Sequence, residues 1–290
     1  MMSHKKKRII AITSVFTIFT GFIVWLLWAN TALKLNAYTI ANSRLPSKFD
    51  GYRIAHISDL HNAEIGPSNR KLLQILEDIQ PDIIAITGDL VDSRRTNIDI
   101  ALRFAREAIK IAPCYYVAGN NESWITEYDK LRTGLKSLGV AVLEDTKVEI
   151  RRDDEKIKML GVVDPSFYGD LSWEKEADII DSVLYKLNDE NETFTLLLIH
   201  RPDLMDIYAQ NNCDLVLSGH AHGGQVRLPF VGGLVAPDQG FFPYYDSGLY
   251  TVKNTDMIVS RGIGNSIIPL RVNNRPEVIL VELKKASRVV

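Results

Sequence analysis

The sequence predicts a layered α/β domain behind one N-terminal membrane-spanning helix, and three observations carry that prediction. An apolar run of 21 residues without a charge occupies positions 9–29. From Gly51 onward, short apolar strands alternate with amphipathic helices. The composition is that of a globular protein: 290 residues, 46% hydrophobic and 24% charged, with 34 Lys plus Arg against 36 Asp plus Glu. Wholesale disorder, collagen-like repeats and a multi-span membrane protein are excluded, and the length suffices for a core that needs no disulfide staples. Cys114 and Cys213 make neither a disulfide framework nor a cysteine-rich zinc site, and both precede apolar strands as buried free thiols do.

The run at 9–29, IIAITSVFTIFTGFIVWLLWA, forms a helix roughly 32 Å long, about the hydrocarbon thickness of a bilayer. Trp25 and Trp28 lie near its far end, where indoles favour the membrane interface. Lys5, Lys6, Lys7 and Arg8 precede the run and only Lys34 follows closely, so the positive-inside rule puts the N-terminus in the cytoplasm and the body outside. A single-pass cell-membrane protein is expected. The competing reading is a cleaved signal peptide with ANTA at 29–32 as its processing site, but the run exceeds the usual signal core, and an uncleaved anchor is preferred. Residues 1–35 hold five basic and no acidic residues, leaving 29 basic and 36 acidic in the rest, a net of -7. An acidic body argues against nucleic acid as a specific partner. The expected organisation is a basic tail and anchor at 1–35, a juxtamembrane linker at 36–49, a catalytic domain at 50–284 and a short tail at 285–290.

Within the body, residues 53–58 (RIAHIS) read as the first strand. Leu72, Leu73, Ile75, Leu76 and Ile79 then recur at helical spacing until Pro81 stops the helix. Residues 82–87 (DIIAIT) are a strand, 97–111 a helix, 115–118 a strand and 128–138 a helix. The second half repeats the theme, with strands near 140–143, 157–163, 194–199 and 214–218 and helices near 173–187 and 203–210. Short strands at 249–252, 257–259 and 278–283 follow, separated by Gly and Pro turns.

Polar residues of one kind appear just past these strands. Asp59 and His61 follow the first in SDLHN, Asp89 the second in TGDLVD and Asn120 the third in AGNNE; His200 ends TLLLIH, and His220 and His222 lie in SGHAHGG. Four of the six histidines in the chain fall in these motifs. Residues two apart in an extended segment point the same way, so Asp59 with His61, and His220 with His222, can each present two donors to one region. Mixed imidazole and carboxylate ligation suits first-row transition metals. Seven donors exceed the needs of one four-coordinate ion, whereas a two-metal site sharing a carboxylate uses them all and is suited to phosphate-ester hydrolysis. Any one of these motifs alone is common in proteins without a site; their ordered recurrence is not.

The series DLH, GDLVD, GNNE, LLIHRPD and GHAHGGQ resembles the calcineurin-like metallophosphoesterase family. Within it the sequence looks most like a small bacterial membrane-associated branch that carries a GHTHGGQ-type signature and includes UDP-2,3-diacylglucosamine hydrolases; the segments QVRLPF, QGFFP and SRGIG add to that likeness. The resemblance implies a four-layer α/β/β/α sandwich and two divalent ions, Mn, Fe or Zn. One ion is expected on Asp59, His61, Asp89 and His222, the other on Asp89, Asn120, His200 and His220, with Asp89 shared. Asp89, Asn120, Asn121 and His200 are the expected catalytic residues. The implied reaction needs no protein nucleophile: two cations lower the pKa of a shared water, and the resulting hydroxide attacks phosphorus in line. Gly88, Gly119 and Gly219 are expected to let the backbone turn sharply at the strand ends.

One position departs from the family pattern. A histidine that contacts the phosphate and helps protonate the leaving group is usual where this chain has Asn121, which donates hydrogen bonds but delivers no proton near neutral pH. Turnover is expected to be slower for poor leaving groups and least affected for pyrophosphates and aryl esters. A metal-retaining binding or sensing module is the alternative that Asn121 supports. His56, three residues before Asp59, is expected to be a packed structural histidine, and Glu122 to brace a ligand histidine or to face solvent. Asn121 and Arg261 are the candidate substrate contacts, with Arg201 and Arg271 as further cations for a phosphate or lipid head group. The expected substrate is a phosphoester or pyrophosphate, and the anchor makes a lipid-linked one reachable.

Overall fold

The apolar N-terminal run winds into α1 (His4–Thr31), capped by Ser3, whose hydroxyl accepts from the Lys6 N–H at 3.4 Å. Thr13, Thr17 and Thr31 each donate to a carbonyl four residues earlier, so these three hydroxyls are satisfied within the helix. Among its described residues only Ala29 is buried, and α1 is long and apolar enough to cross a membrane. The computed structural model describes residues 3–188, 193–265 and 270–287.

Two six-stranded sheets make the body. The first contains β1 (Lys34–Asn42), β2 (Arg53–Ile57), β3 (Ile83–Thr87), β4 (Cys114–Val117), β5 (Ala141–Val142) and β16 (Glu277–Lys285), in the order β1-β16-β2-β3-β4-β5. The second contains β6 (Thr146–Arg152), β7 (Glu155–Gly161), β8 (Thr195–Leu198), β9 (Leu215–Ser218), β14 (Gly248–Val252) and β15 (Thr255–Val259), in the order β14-β15-β9-β8-β7-β6. Two short hairpins lie between β9 and β14: β10 (Arg227–Leu228) with β11 (Gly232–Gly233), and β12 (Val235–Ala236) with β13 (Gly240–Phe241).

Period-two alternation sorts the strand residues into layers. Ile54, Ala85, Val117, Ile279 and Val281 of the first sheet pack with Met159, Leu196, Leu198, Leu217 and Ile258 of the second. The other face of the first sheet, with Ala55, Ile57, Ile84 and Ile86, meets α2 (Arg70–Ile79), α3 (Ile98–Ala108) and α5 (Tyr128–Ser137) through Leu72, Phe104 and Leu131. The outer face of the second, with Leu197, Val216 and Met257, meets α6 (Trp173–Leu187) and α7 (Met205–Gln210) through Ile180, Leu184 and Tyr208. These are the four layers of an α/β/β/α sandwich. Cys114 and Cys213 are buried free thiols, each pushed up to about 12 by burial.

The stretch 36–49 is not a linker. Residues 34–42 form β1, paired in parallel with β16 from Lys34↔Glu277 to Asn42↔Lys285, and Ile40, Leu45 and Phe49 are buried between the sheets. The apolar signal is thin because β1 is an edge strand with one face largely in solvent. Only two residues, Ala32 and Leu33, therefore separate α1 from the body.

His56 is fully buried on β2, where its Nε2 lies 2.8 Å from Thr87 Oγ1, and burial lowers its pKa to about 3. Below pH 6.5 the unfolded chain takes up a proton that the folded chain refuses, so stability is lost as pH falls from about 6.5 towards 3. In His56→Leu the slope of unfolding free energy against pH between 6.5 and 4.5 should be shallower by up to about 1.4 kcal/mol per pH unit. Denaturant unfolding of the detergent-solubilised protein at a series of pH values measures this, and an unchanged slope contradicts a neutral buried His56.

Candidate metal centre

Asp59 and His61 follow β2, Asp89 follows β3, Asn120 opens the short helix α4 (Asn120–Ser123) after β4, His200 follows β8, and His220 and His222 follow β9. All seven are buried where these strand ends of the two sheets meet. Asp59 (φ 53°), His61 (φ 45°), Asp89 (φ 54°), His220 (φ 66°) and His222 (φ 48°) have left-handed backbones. Residues with a Cβ rarely adopt this conformation, and such strain collects at functional sites. The extended geometry expected for the Asp59/His61 and His220/His222 pairs is thus replaced by tight turns, and the two histidines after β9 serve different clusters.

In the first cluster, donor atoms of Asp59, His61, Asp89 and His222 all lie within 4.8 Å of one another. His61 Nε2 is 3.1 Å from His222 Nε2, and His222 Nε2 is 3.3 Å from Asp59 Oδ1. In the second, His200 Nε2 is 3.1 Å from Asn120 Oδ1 and 3.2 Å from His220 Nδ1. Asp89 Oδ2 stands between the clusters, 3.3 Å from His61 Nε2 and 3.4 Å from His200 Nε2.

The donor chemistry fits cations. His200 Nδ1 donates to the Thr87 carbonyl at 2.7 Å and His220 Nε2 to Asp238 Oδ2 at 2.7 Å, which in the neutral imidazoles leaves the lone pair of His200 Nε2 facing both Asn120 Oδ1 and the lone pair of His220 Nδ1. Three acceptor atoms converge with no proton of their own to share, an arrangement that a positive ion satisfies. With no ion bound the same pocket recruits a proton instead: burial opposes charge on His200, yet the Asp89 carboxylate outweighs it and raises the imidazole to about 10, so this nitrogen takes either a proton or a metal cation.

Around the donors the chain is tightly cross-braced. Glu122 is fully buried and accepts from the backbone N–H groups of Asp89 (2.8 Å), Gly119 (2.7 Å) and Val91 (3.2 Å), fixing the turn after β3 rather than a ligand histidine. Asn121 donates through its backbone to Asp89 Oδ1 (2.9 Å) and through Nδ2 to Asp89 Oδ2 (2.6 Å), and its Oδ1 accepts from the N–H and hydroxyl of Ser93. The side chain expected to face substrate is turned onto the shared carboxylate. Of the three glycines, Gly88 has a left-handed backbone (φ 86°), whereas Gly119 and Gly219 matter for clearance: a Cβ at 119 would lie 2.3 Å from Asp89 Oδ1 and one at 219 would lie 2.4 Å from Asp59 Oδ2.

Two supporting residues come from the tail and escape sequence reading. Asp238 accepts a hydrogen bond from His220 Nε2 and also binds Arg201 Nη1 at 2.6 Å. Arg271 is wholly buried, with Nη2 3.3 Å from His222 Nδ1 and Nη1 donating to the Arg261 carbonyl at 2.7 Å. Both lie far along the chain from the histidines they support, in stretches without periodicity; the arginine was legible only as a cation. Arg201 is enclosed by Asp164, Glu176 and Asp238 and Arg271 by backbone carbonyls, so neither is free to meet a phosphate. Arg261 is partly exposed, lies outside the clusters and sits over Gly223, beside His222, with its Nε 3.8 Å from Glu277.

A four-layer sandwich with donor-rich loops at facing strand ends, and one carboxylate common to two clusters, defines a metal-dependent hydrolase of the dinuclear class. The comparisons agree: a model of the Calcineurin-like phosphoesterase family matches residues 52–224, and the chain belongs to that family, whose members use two divalent metal ions. It is 29% identical to the uncharacterised metallophosphoesterase YkuE of Bacillus subtilis, over 88% of this chain and 87% of that one. It is 29% identical to the phosphodiesterase YaeI of Escherichia coli, over 80% of this chain and 82% of the relative. The solved structure of TT1561 from Thermus thermophilus superposes with a TM-score of 0.52 at 15% identity, covering 73% of this chain and 90% of that one. The chain is a metal-dependent phosphoric ester hydrolase.

Proposed function

We propose that this hydrolase is anchored in the cell membrane by α1, with its N-terminus cytoplasmic and its body on the opposite side. Its substrate in this reading is a lipid-linked phosphodiester, phosphomonoester or pyrophosphate of the kind exemplified by UDP-2,3-diacylglucosamine. The observation that carries the hydrolytic part of the reading is Asp89 Oδ2 shared by two donor clusters, and the long apolar α1 supports the anchoring. Asp59, His61, Asp89 and His222 are assigned to one divalent ion, and Asp89, Asn120, His200 and His220 to the other. When bound, such a pair supplies an acidic water and positive charge at the phosphoryl oxygens.

The chain's own residues do the rest. Thr87 and Asp238 hold the tautomers of His200 and His220, and Asn121 holds both oxygens of Asp89 in place. Arg261, partly exposed beside His222, is assigned to the anionic part of the substrate. Because Asn121 delivers no proton, the reaction favours leaving groups that depart as weak bases, such as a phosphate of a pyrophosphate or an aryl oxide.

The test uses full-length protein in detergent, stripped with chelator and reloaded with manganese, on bis-aryl phosphate, mono-aryl phosphate and UDP-2,3-diacylglucosamine. Metal-dependent hydrolysis of at least one supports the reading. Asn121→His should leave aryl esters within a few-fold and speed an alkyl phosphodiester about tenfold or more, as expected for a restored acid. A second reading, a metal-holding binding module, is favoured by the bonding of Asn121 to Asp89 and Ser93; an inactive wild type with activity gained in Asn121→His would select it. Orientation is tested by protease added to intact cells or protoplasts, where digestion of the body is expected and protection overturns the outward-facing topology.

A further inference from the structure

The segment after the metal-binding turn carries an apolar surface that the chemistry does not use. Leu228, Phe230, Val231, Phe241, Phe242 and Tyr244 are all exposed, Phe230 completely, and they cluster on the two hairpins and the residues that follow. Isolated exposed apolar residues are ordinary, but six within 17 residues form a patch of the kind that marks an interaction surface.

What lies beside that patch identifies its partner. The base of the first hairpin is bonded to the strap at 270–275: Arg227 N–H donates to the Val272 carbonyl at 3.0 Å, and Val226 bridges Val272. The same strap grips the end of α1. Asn30 donates to the Arg271 carbonyl (2.9 Å) and accepts from the Arg271 N–H (2.8 Å). Arg275 donates to the carbonyls of Ala32 and Leu33, both at 2.8 Å, and its guanidinium lies 4.8 Å over the ring of Trp28. Only Ala32 and Leu33 separate α1 from β1, so the body is docked on the helix end. Phe230 is three residues from Arg227, so its backbone lies at most about 11 Å from the residue bonded to the strap. A head-group layer is some 5–8 Å deep per leaflet, a depth that a tip on so short a tether from the helix end can cross. Phenylalanine, valine and tyrosine are side chains that settle there.

We propose that residues 228–244 form an interfacial flap seated in the same bilayer that holds α1, so that the metal centre draws its substrate from the head-group layer. The flap and the centre are one unit: Asp238, at the tip of the second hairpin, holds His220 Nε2 at 2.7 Å, and Phe241 follows three residues later. This inference rests on the membrane-anchored reading above and extends it to where the substrate sits.

The experiment uses the full chain in lipid nanodiscs. Phe230→Cys and Phe241→Cys, and Tyr185→Cys on exposed α6 as reference, each carry a bimane label; the two native cysteines are buried. Nitroxide-bearing lipids should quench positions 230 and 241 at least threefold more than 185. Equal quenching at all three overturns the proposal, as does masking of 230 and 241 by dimerisation rather than by lipid, read from particle mass. In a second arm, the double variant Phe230→Asp/Phe241→Asp should keep wild-type turnover of soluble bis-aryl phosphate and lose about tenfold on a bilayer-embedded phosphoester. An equal loss on both also overturns it. Absence of all hydrolysis in the wild type counts against the enzyme reading alone, because quenching is read without catalysis.

Discussion

Asp89→Ala should lower hydrolysis of bis-aryl phosphate by about 10³-fold or more with the sandwich intact. The carboxylate oxygen Oδ2 lies within 3.4 Å of a histidine from each cluster, so one substitution takes a ligand from both, whereas Asp59→Asn weakens only one. A loss of about 4 kcal/mol of transition-state stabilisation accounts for the factor. The substitution also strips Asn121 of both its acceptors, a stability cost of about 1–3 kcal/mol that could be mistaken for the catalytic effect. Asp89→Asn separates the two, since it keeps the shape and one acceptor oxygen but removes the charge. Metal content by elemental mass spectrometry should fall from about two ions per chain in the wild type to fewer than one in both variants, with unchanged far-ultraviolet circular dichroism. Wild-type turnover in Asp89→Ala would refute the shared-carboxylate site.

The donors themselves were legible because chemistry-bearing side chains fall in short motifs at the ends of strands that announce themselves by apolar runs. RIAHIS, DIIAIT and TLLLIH are buried on both faces, as parallel strands in a layered fold are, and their ends meet at the site. What lay hidden depends on contacts between distant segments. β1 shows little apolar run because it is an edge strand, yet it completes the first sheet and removes the supposed linker. Asp238, in the turn-like PDQG, sits 18 positions from His220, and nothing in its local pattern separates it from a solvated loop carboxylate. Arg271 could be read as a cation for substrate; only the structure shows it sealed against His222 and tied to Asn30 of α1. Asn121 was recognisable as a departure from the family pattern, but its engagement with Asp89 and Ser93 belongs to the fold. Glycines taught a similar lesson, since a turn signal in sequence does not distinguish a need for positive φ from a need for empty space.

That distinction makes Gly219→Ala a sharp test of how the two sheets hold one centre. Gly219 has no left-handed backbone, so alanine costs little conformationally there. Its Cβ, however, would lie 1.8 Å from Ser58 Oγ and 2.4 Å from Asp59 Oδ2. The serine hydroxyl can rotate away, but Asp59 is held, because both of its oxygens accept from the His220 N–H at 3.2 and 3.1 Å. The methyl group therefore pushes the turn after β9 away from the turn after β2, and with it His220 and His222 from Asp59. A displacement of about 1 Å in such a site costs on the order of 10²-fold in rate, so kcat should fall by about that factor while KM changes little. Metal content should drop below two ions per chain, because His222 is drawn from Asp59 in one set and His220 is shifted against His200 in the other. Ser58→Ala/Gly219→Ala removes only the hydroxyl and should restore little, because Asp59 Oδ2 at 2.4 Å and the retained Cβ of residue 58 at 2.8 Å still stand in the way. Gly66→Ala is the fitting contrast: its φ of 76° makes alanine strained, yet the nearest atoms to a Cβ belong to the mobile Lys71 side chain, so stability should fall by about 1 kcal/mol with kcat unchanged. If Gly219→Ala turns over like the wild type, the close approach of the two turns is not what positions Asp59.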